Sequence, residues 1–245
     1  MDRFIGTAGW SIASRQAERL PGAGTHLERY GRVLGAVEID SSFYRPHRRE
    51  TYARWAASVP EGFRFSVKMP RAVTHRHRLI DCLAPLDEFI AQIAGLGGKL
   101  GAILIQLPPS LRFDAPTAAR FFATLRERSA APLALEPRHA SWGDPEAEAL
   151  LQGHGIARVA ADPPPFEGAD APAGWPRLAY FRLHGTPRIY YSDYPPERLE
   201  SIQRQVEAAA RTAETVWCIF DNTAQGHALD NALDLAATFM PLPVR

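Results

Sequence analysis

The chain has 245 residues, 46% hydrophobic and 22% charged, with a formal net charge of +1. It is long enough to bury a sizeable core and has no overall electrostatic pull toward nucleic acid or anionic membranes. Two cysteines, Cys82 and Cys218, are too few for a disulfide framework.

The stretch MDRFIGTAGW lacks the apolar run of a secretion signal, and no apolar stretch nears the roughly 20 residues of a membrane helix. A cytoplasmic protein with no membrane partner is therefore expected. In chain order, short apolar runs alternate with helical periodicity. Strands are expected at Arg3–Ala8, Ala36–Ser41, Phe63–Met69, Gly101–Leu107, Leu133–Glu136, Ala157–Ala161, Leu178–Leu183 and Thr215–Phe220. Helices are expected at Thr25–Leu34, Arg49–Val59, Pro85–Leu96, Ala115–Ser129, Pro145–Gly153, Pro195–Thr212 and Ala228–Phe239. Asp144 before Pro145, and Gly155 past the helix that follows, are capping signals. Residues 163–177, PPPFEGADAPAGWPR, carry five prolines. They predict an irregular segment in place of the sixth helix. The pattern fits an α/β fold, a TIM (β/α)8 barrel forming a single domain over residues 1–245. An open doubly wound sheet is the alternative.

In barrel enzymes the chemistry sits where the strands run out at their C-terminal ends. Here most strands end in polar groups. VEIDSSFYR alternates Glu38 with Asp40, FRFSVKMP places Ser66 and Lys68 on one face, and AYFRLHG alternates Tyr180, Arg182 and His184 against Phe181 and Leu183. LALEPRHASW leaves its apolar run at Glu136, then offers Arg138, His139 and Trp142. Other strands end at Gln106, Asp162 and Asp221-Asn222. A single polar residue at a strand end is usually solvent-exposed or caps a helix. Six that alternation aims inward together, Glu38, Lys68, Glu136, Arg138, Arg182 and His184, need one another as partners in a buried ionic network. Only two of the 28 basic residues are lysines, Lys68 and Lys99. Lys99 follows Gly97-Gly98 and reads as a turn residue. Lys68, among carboxylates, reads as an ion-paired electrostatic group rather than a Schiff-base nucleophile.

The blocks GTAGW, VEIDSSFYR, FSVKMP with THRHRL, QLPPS, LEPRHASW, FRLHG and FDNTAQGHALDNA, in this order from residue 6 to residue 232, resemble the signature of the YecE-like family (domain of unknown function 72, UPF0759). That family is described as sugar-isomerase-related TIM barrels. The resemblance implies the barrel, and it implies that Glu38, Tyr44, Lys68, His75, Arg78, Gln106, Glu136, Arg138, His139, Trp142, Asp162, Arg182, His184, Asn222 and Asn231 are the matching positions. Asp40 stands where the family tends to have Asn, Pro137 where it tends to have an aromatic, and Asp221 in place of the first of two asparagines.

The chemistry expected is acid–base work on a small anionic polar substrate, such as a sugar phosphate. Glu38, Lys68, Glu136 and His184 are the candidate catalytic set. Trp10, Tyr44, His75, Arg78, Gln106, Arg138, His139, Trp142, Asp162, Arg182 and Asn222 are candidate substrate contacts, the arginines through bidentate bonds to phosphate or carboxylate. Glu38 and Glu136 also allow a glycosidase reading. Rim aromatics, Trp10, Tyr44, Trp142, Tyr190, Tyr191 and Tyr194, suit either stacking on a ring or plain packing. No phosphate loop, dinucleotide fingerprint or nucleophile elbow occurs, so no cofactor is expected. A divalent metal has donors in Glu136, Asp162, His184 and Asp221 but no diagnostic spacing. The alternative class is a nucleic-acid-binding protein or nuclease using the basic stretches Arg45, His47, Arg48, Arg49 and Arg71, His75, Arg76, His77, Arg78.

Overall fold

The computed structural model describes residues 2–239. Strands and helices alternate as β1 (Asp2–Thr7), α1 (His26–Gly31), β2 (Ala36–Ile39), α2 (Arg49–Ala57), β3 (Arg64–Lys68), α3 (Leu83–Ile93), β4 (Leu100–Gln106), α4 (Ala115–Arg128), β5 (Leu133–Glu136), α5 (Pro145–Gly153), β6 (Ile156–Arg158), β7 (Ala160–Asp162), β8 (Ala173–Gly174), β9 (Leu178–Leu183), α6 (Pro196–Ala209), β10 (Thr215–Phe220) and α7 (His227–Phe239). Among the described residues no helix is long and apolar enough to cross a membrane.

The strands form two sheets, ordered β1-β10-β9-β7 and β2-β3-β4-β5-β6-β8. All pairings are parallel except β8 on β6. Parallel strands buried on both faces need apolar residues on both, and the two faces bury different clusters. Toward the helices lie Val37, Phe65, Ile103, Leu135, Phe181 and Phe220, packed with Tyr52, Phe89, Phe122, Leu151 and Val206. The opposite faces bury Ala36, Ala102, Leu104, Ala134, Val159, Tyr180, Trp217 and Ile219. Local signals set the helix ends: Thr25 and Glu28 make a capping box at α1, and Asp114 accepts from the Thr117 amide at the start of α4. Lys99 donates to the carbonyls of Ala56 and Val59 and so closes the C-terminal end of α2.

The expected sixth strand does not run through. It breaks at Val159, β6 pairing with β5 and β7 with β9, in different sheets. The proline-rich segment is the cause. It carries no helix. It lays β8 against β6, and its Ala169 carbonyl accepts from the Ala161 amide. Gly174 permits the close approach: it has φ of 72°, and an added Cβ would sit 2.4 Å from the Ile156 oxygen.

The two sheets touch at two seams. One is a parallel bridge between Ala8 and Glu38, with Gly9 N–H donating to the Glu38 carbonyl at 2.8 Å. The other is Val159 itself, whose N–H donates to the Leu135 carbonyl at 2.8 Å. At the first seam Tyr30 acts as a staple. Its hydroxyl donates to the Ala36 carbonyl and accepts from the Thr7 amide. A Cβ on Gly6 would lie 2.1 Å from the Ala36 oxygen and 2.9 Å from the Tyr30 hydroxyl. Gly6→Ala is therefore expected to cost about 2–3 kcal/mol by overpacking, read as a lowered urea midpoint with an unchanged m-value.

Candidate functional site

Alternation sends every second side chain of the strands into the space between the sheets. Above the inner apolar cluster this space fills with ionisable groups: Glu38 on β2, Ser66 and Lys68 on β3, Glu136 on β5, Tyr180 and Arg182 on β9, and His184 and Asp221 just past the ends of β9 and β10. At its centre is Arg182, with no solvent exposure. Its Nη2 is 2.7 Å from Glu38 Oε1 and 3.1 Å from Asp221 Oδ2, and its Nη1 is 3.2 Å from Glu136 Oε2. Nη2 also lies 3.4 Å from Asp40 Oδ1. The Tyr180 hydroxyl lies 2.9 Å from both Glu38 Oε2 and Ser66 Oγ. Lys68 Nζ donates to Asp40 Oδ1 at 2.8 Å and sits 4.4 Å above the Phe43 ring.

His184 is also fully buried. Its Nδ1 lies 2.9 Å from Asp221 Oδ2. Its Nε2 lies 2.7 Å from Glu136 Oε1 and 2.8 Å from Arg138 Nη2. A proton on Nε2 bonds Glu136; without it the lone pair accepts from Arg138. Both forms of the ring find a partner, which is what a proton carrier requires. Arg138 also donates to Glu136 Oε1 at 2.7 Å, while its Nε is buried with no hydrogen-bond partner. The cluster reaches solvent at the Asp40 side chain, 26% exposed, and the Arg138 side chain, 14% exposed.

The carboxyls are driven apart. Burial raises Glu38 above its ordinary value, against the pull of Arg182. Burial also opposes ionisation of Glu136, but Arg138, Arg182 and His184 overcome it and hold that carboxyl well below its ordinary range. Asp221 is likewise buried yet lowered, by Arg182 and His184.

The six inward-aimed residues of the strand pattern thus meet in one cluster. Two expectations about them change. Arg182, expected as a substrate contact, is buried with its guanidinium taken up by carboxylates of the protein. Glu38, expected in the catalytic set, is buried and held by Arg182 and Tyr180, and in turn orients Arg182. Several other candidates do local work. His139 Nδ1 accepts from the Ser141 amide and caps a turn. Trp142 is buried between Phe113 and Phe122, its Nε1 donating to the Leu111 carbonyl. Asp162 pairs with Arg198 and Thr186. Arg78 donates twice to Ser110. Asn222 donates to the Ser192 carbonyl and to Asn231, tying down the loop after β9. Trp10 packs its edge on Trp55. Gln106 lies in register beside Glu136. His75 and the exposed Tyr44 flank the Phe43 ring. The candidate set omitted Asp40, Asp221 and Tyr180, although Asp40 and Tyr180 alternate with Glu38 and Arg182. Tyr190, expected only as a rim aromatic, stands edge-on to His184 with ring centroids 5.8 Å apart, in a left-handed conformation with φ of 71°. No periodic signal marks it. Among the described residues no group of three His, Cys, Asp or Glu side chains is arranged to hold a metal ion.

These features define an α/β protein whose parallel strands deliver a buried ionic cluster at their C-terminal ends. The chain belongs to the family described as "Protein of unknown function DUF72", which matches residues 4–242. It is 23% identical over 257 residues to the UPF0759 protein YunF of Bacillus subtilis, covering 93% of this chain and 91% of that one. It is 31% identical over 84 residues to the UPF0759 protein YecE of Escherichia coli, 34% of this chain and 31% of that one. Among solved structures, a DUF72 family protein from Thermotoga maritima superposes with a TM-score of 0.79 at 26% identity, over 97% of this chain and 99% of that one. A DUF72 family protein from Enterococcus faecalis gives 0.80 at 23% identity, over 99% of both chains. A sugar phosphate isomerase/epimerase from Parabacteroides distasonis shares the fold at a TM-score of 0.56 and 10% identity, over 99% of this chain and 97% of that one.

Two outcomes are expected. Arg182→Leu strands three buried carboxylates and should cost about 3–5 kcal/mol in chemical denaturation. The pH dependence has a definite sign. The unfolded chain protonates Glu136 and Asp221 near 4.5 and 3.8, whereas the folded chain holds both ionised to lower pH. Their contribution is complete above about pH 5 and lost as pH falls through the lowered folded values. Glu38, raised on folding, acts in the opposite sense above 4.5. Stability measured from about pH 7 to about pH 3 should therefore drop at the acid end, less steeply in Asp221→Asn.

Proposed function

We propose that this chain is a single-domain cytoplasmic enzyme with a closed (β/α)8 barrel, and that it moves a proton on a small polar substrate of the sugar-phosphate type. Closure is supported by the two seams and by the separate apolar cluster on the strand faces turned away from the helices. With β6 and β7 taken as one interrupted strand, and β8 left aside, eight parallel strands remain.

The observation that carries the reading is the placement of His184 between Glu136 and Asp221 with Arg138 alongside. Asp221 holds Nδ1 and fixes the ring, as a third group does in catalytic triads. Nε2 and Glu136 share the mobile proton. At a carbon beside a carbonyl, this pair removes a proton and the electron pair moves into an enediolate; the proton returns either to the other face of the same carbon, or to the former carbonyl carbon as the adjacent hydroxyl passes its proton to the former carbonyl oxygen. Arg138, partly exposed and with an unpartnered N–H, is placed to take the charge developing on the enediolate oxygen. Glu38 and Arg182 hold Glu136 in position. Tyr190 covers His184 edge-on, so in this reading substrate binding moves that ring aside. The likeness in fold to a sugar phosphate isomerase/epimerase agrees with this choice of substrate class.

The test is proton exchange. Aldose and ketose phosphates incubated with the protein in deuterium oxide should gain deuterium beside the carbonyl, followed by proton NMR. His184→Gln should slow this by about 10²–10⁴ while keeping the thermal unfolding profile of a folded protein. No exchange with any member of such a panel would overturn the proposal.

A further inference from the structure

The ionic cluster has no spare positive charge. Lys68, Arg138 and Arg182 are each already paired with a carboxylate. A substrate phosphate needs cations that are still free, and these lie one ring away. The chain leaving β2 and the chain leaving β3 enclose a cavity of about 160 Å³ against α3, lined by Phe43, Tyr44, Arg45, Arg71, Arg76 and Glu88 among others. Arg45, Arg71 and Arg76 make no side-chain hydrogen bond and no ion pair among the described residues. The one carboxylate in the lining, Glu88, accepts from Gln92 instead. Three arginines without an ion-pair partner line one small cavity, so their charge is available to an anion. Planar forks of this kind match phosphate oxygens bidentately.

Phe43 is the wall between the two places. Its ring lines the cavity, carries Lys68 Nζ at 4.4 Å, and meets the edges of Tyr44 and His75 at 5.0 and 4.9 Å. Tyr44 is 68% exposed and lines the same cavity, so its ring face is open to a ligand. We infer that Arg45, Arg71 and Arg76 form a phosphate-binding site for a phosphate monoester whose carbon skeleton crosses the Tyr44 ring toward Arg138 and His184. The direction of that skeleton rests on the proton-transfer reading; the phosphate site itself does not.

Calorimetric titration of the whole chain at low salt tests it. Inorganic phosphate should bind, and Arg71→Gln with Arg76→Gln should weaken it at least tenfold, with Arg71→Lys recovering part of the loss. Arg138→Gln and His184→Gln should leave phosphate affinity within twofold. A sugar phosphate should bind more tightly than inorganic phosphate, and Tyr44→Ala should remove that difference. The Arg71 and Arg76 variants change exposed side chains, and circular dichroism checks that these and Arg138→Gln fold. The site is refuted if phosphate does not bind, if the arginine variants bind it as well as the parent, or if only Arg138→Gln abolishes it. It is also refuted if a single-stranded oligonucleotide binds through the same arginines far more tightly than any monoester. Phosphate binding without proton exchange would sink the reaction and leave the site standing.

Discussion

Everything at the strand ends depends on Arg182 being wholly buried and still charged. A buried guanidinium is tolerated only where carboxylates replace the water it has lost. Its partners come from both sheets. Glu38 and Glu136 stand on β2 and β5, whereas Arg182 and Asp221 belong to β9 and the end of β10. The ionic cluster is therefore also a cross-tie. It joins the two sheets at one level where, among the described residues, the backbone joins them at the Ala8–Glu38 bridge and at Val159. The same contacts lower Glu136 and leave Glu38 raised, so structure and proton chemistry share one cause.

Much of this was legible because the side-chain period of a strand is two. Glu38, Ser66, Lys68, Glu136, Tyr180 and Arg182 could be aimed inward from alternation alone, and the five prolines of residues 163–177 removed one helix. The failures have equally physical reasons. The break at Val159 depends on where Ala169 and Gly174 arrive, eight or more residues further along the chain. Trp142 and His139 follow a strand end just as a substrate contact would, but only the packing of Phe113 and Phe122, and the Ser141 amide, reveal that they serve the turn. Alternation tells which face a side chain takes. It does not tell whether a neighbour has already used its donors. For that reason Arg182 read as a ligand of the substrate when it is a ligand of the protein.

In the reading proposed above, two tasks that a single pocket would set in conflict are kept apart: proton transfer falls to the carboxylates and imidazole held in fixed contact, and anion capture to arginines with no partner among the described residues. Phe43 stands where the two meet, its ring beside Lys68 and its side chain in the lining of the arginine cavity. The near-zero net charge of the chain hides this local imbalance entirely. The basic stretches after β2 and β3, unremarkable as surface charge, gain meaning from sharing one cavity.

The saturated core of the cluster also has a consequence for descent. Glu38, Glu136, Asp221, Arg182 and His184 each satisfy more than one partner. Removing any one leaves another charge buried and unanswered, so single replacements cross a deep valley while matched pairs need not. Drift at these positions is therefore expected to be correlated. Asp221 illustrates it: its charge is tolerable because Arg182 and His184 both face it. A neutral group of the same shape at one of the three keeps the hydrogen bonds and is the cheaper step, whereas an apolar one leaves a charge unanswered.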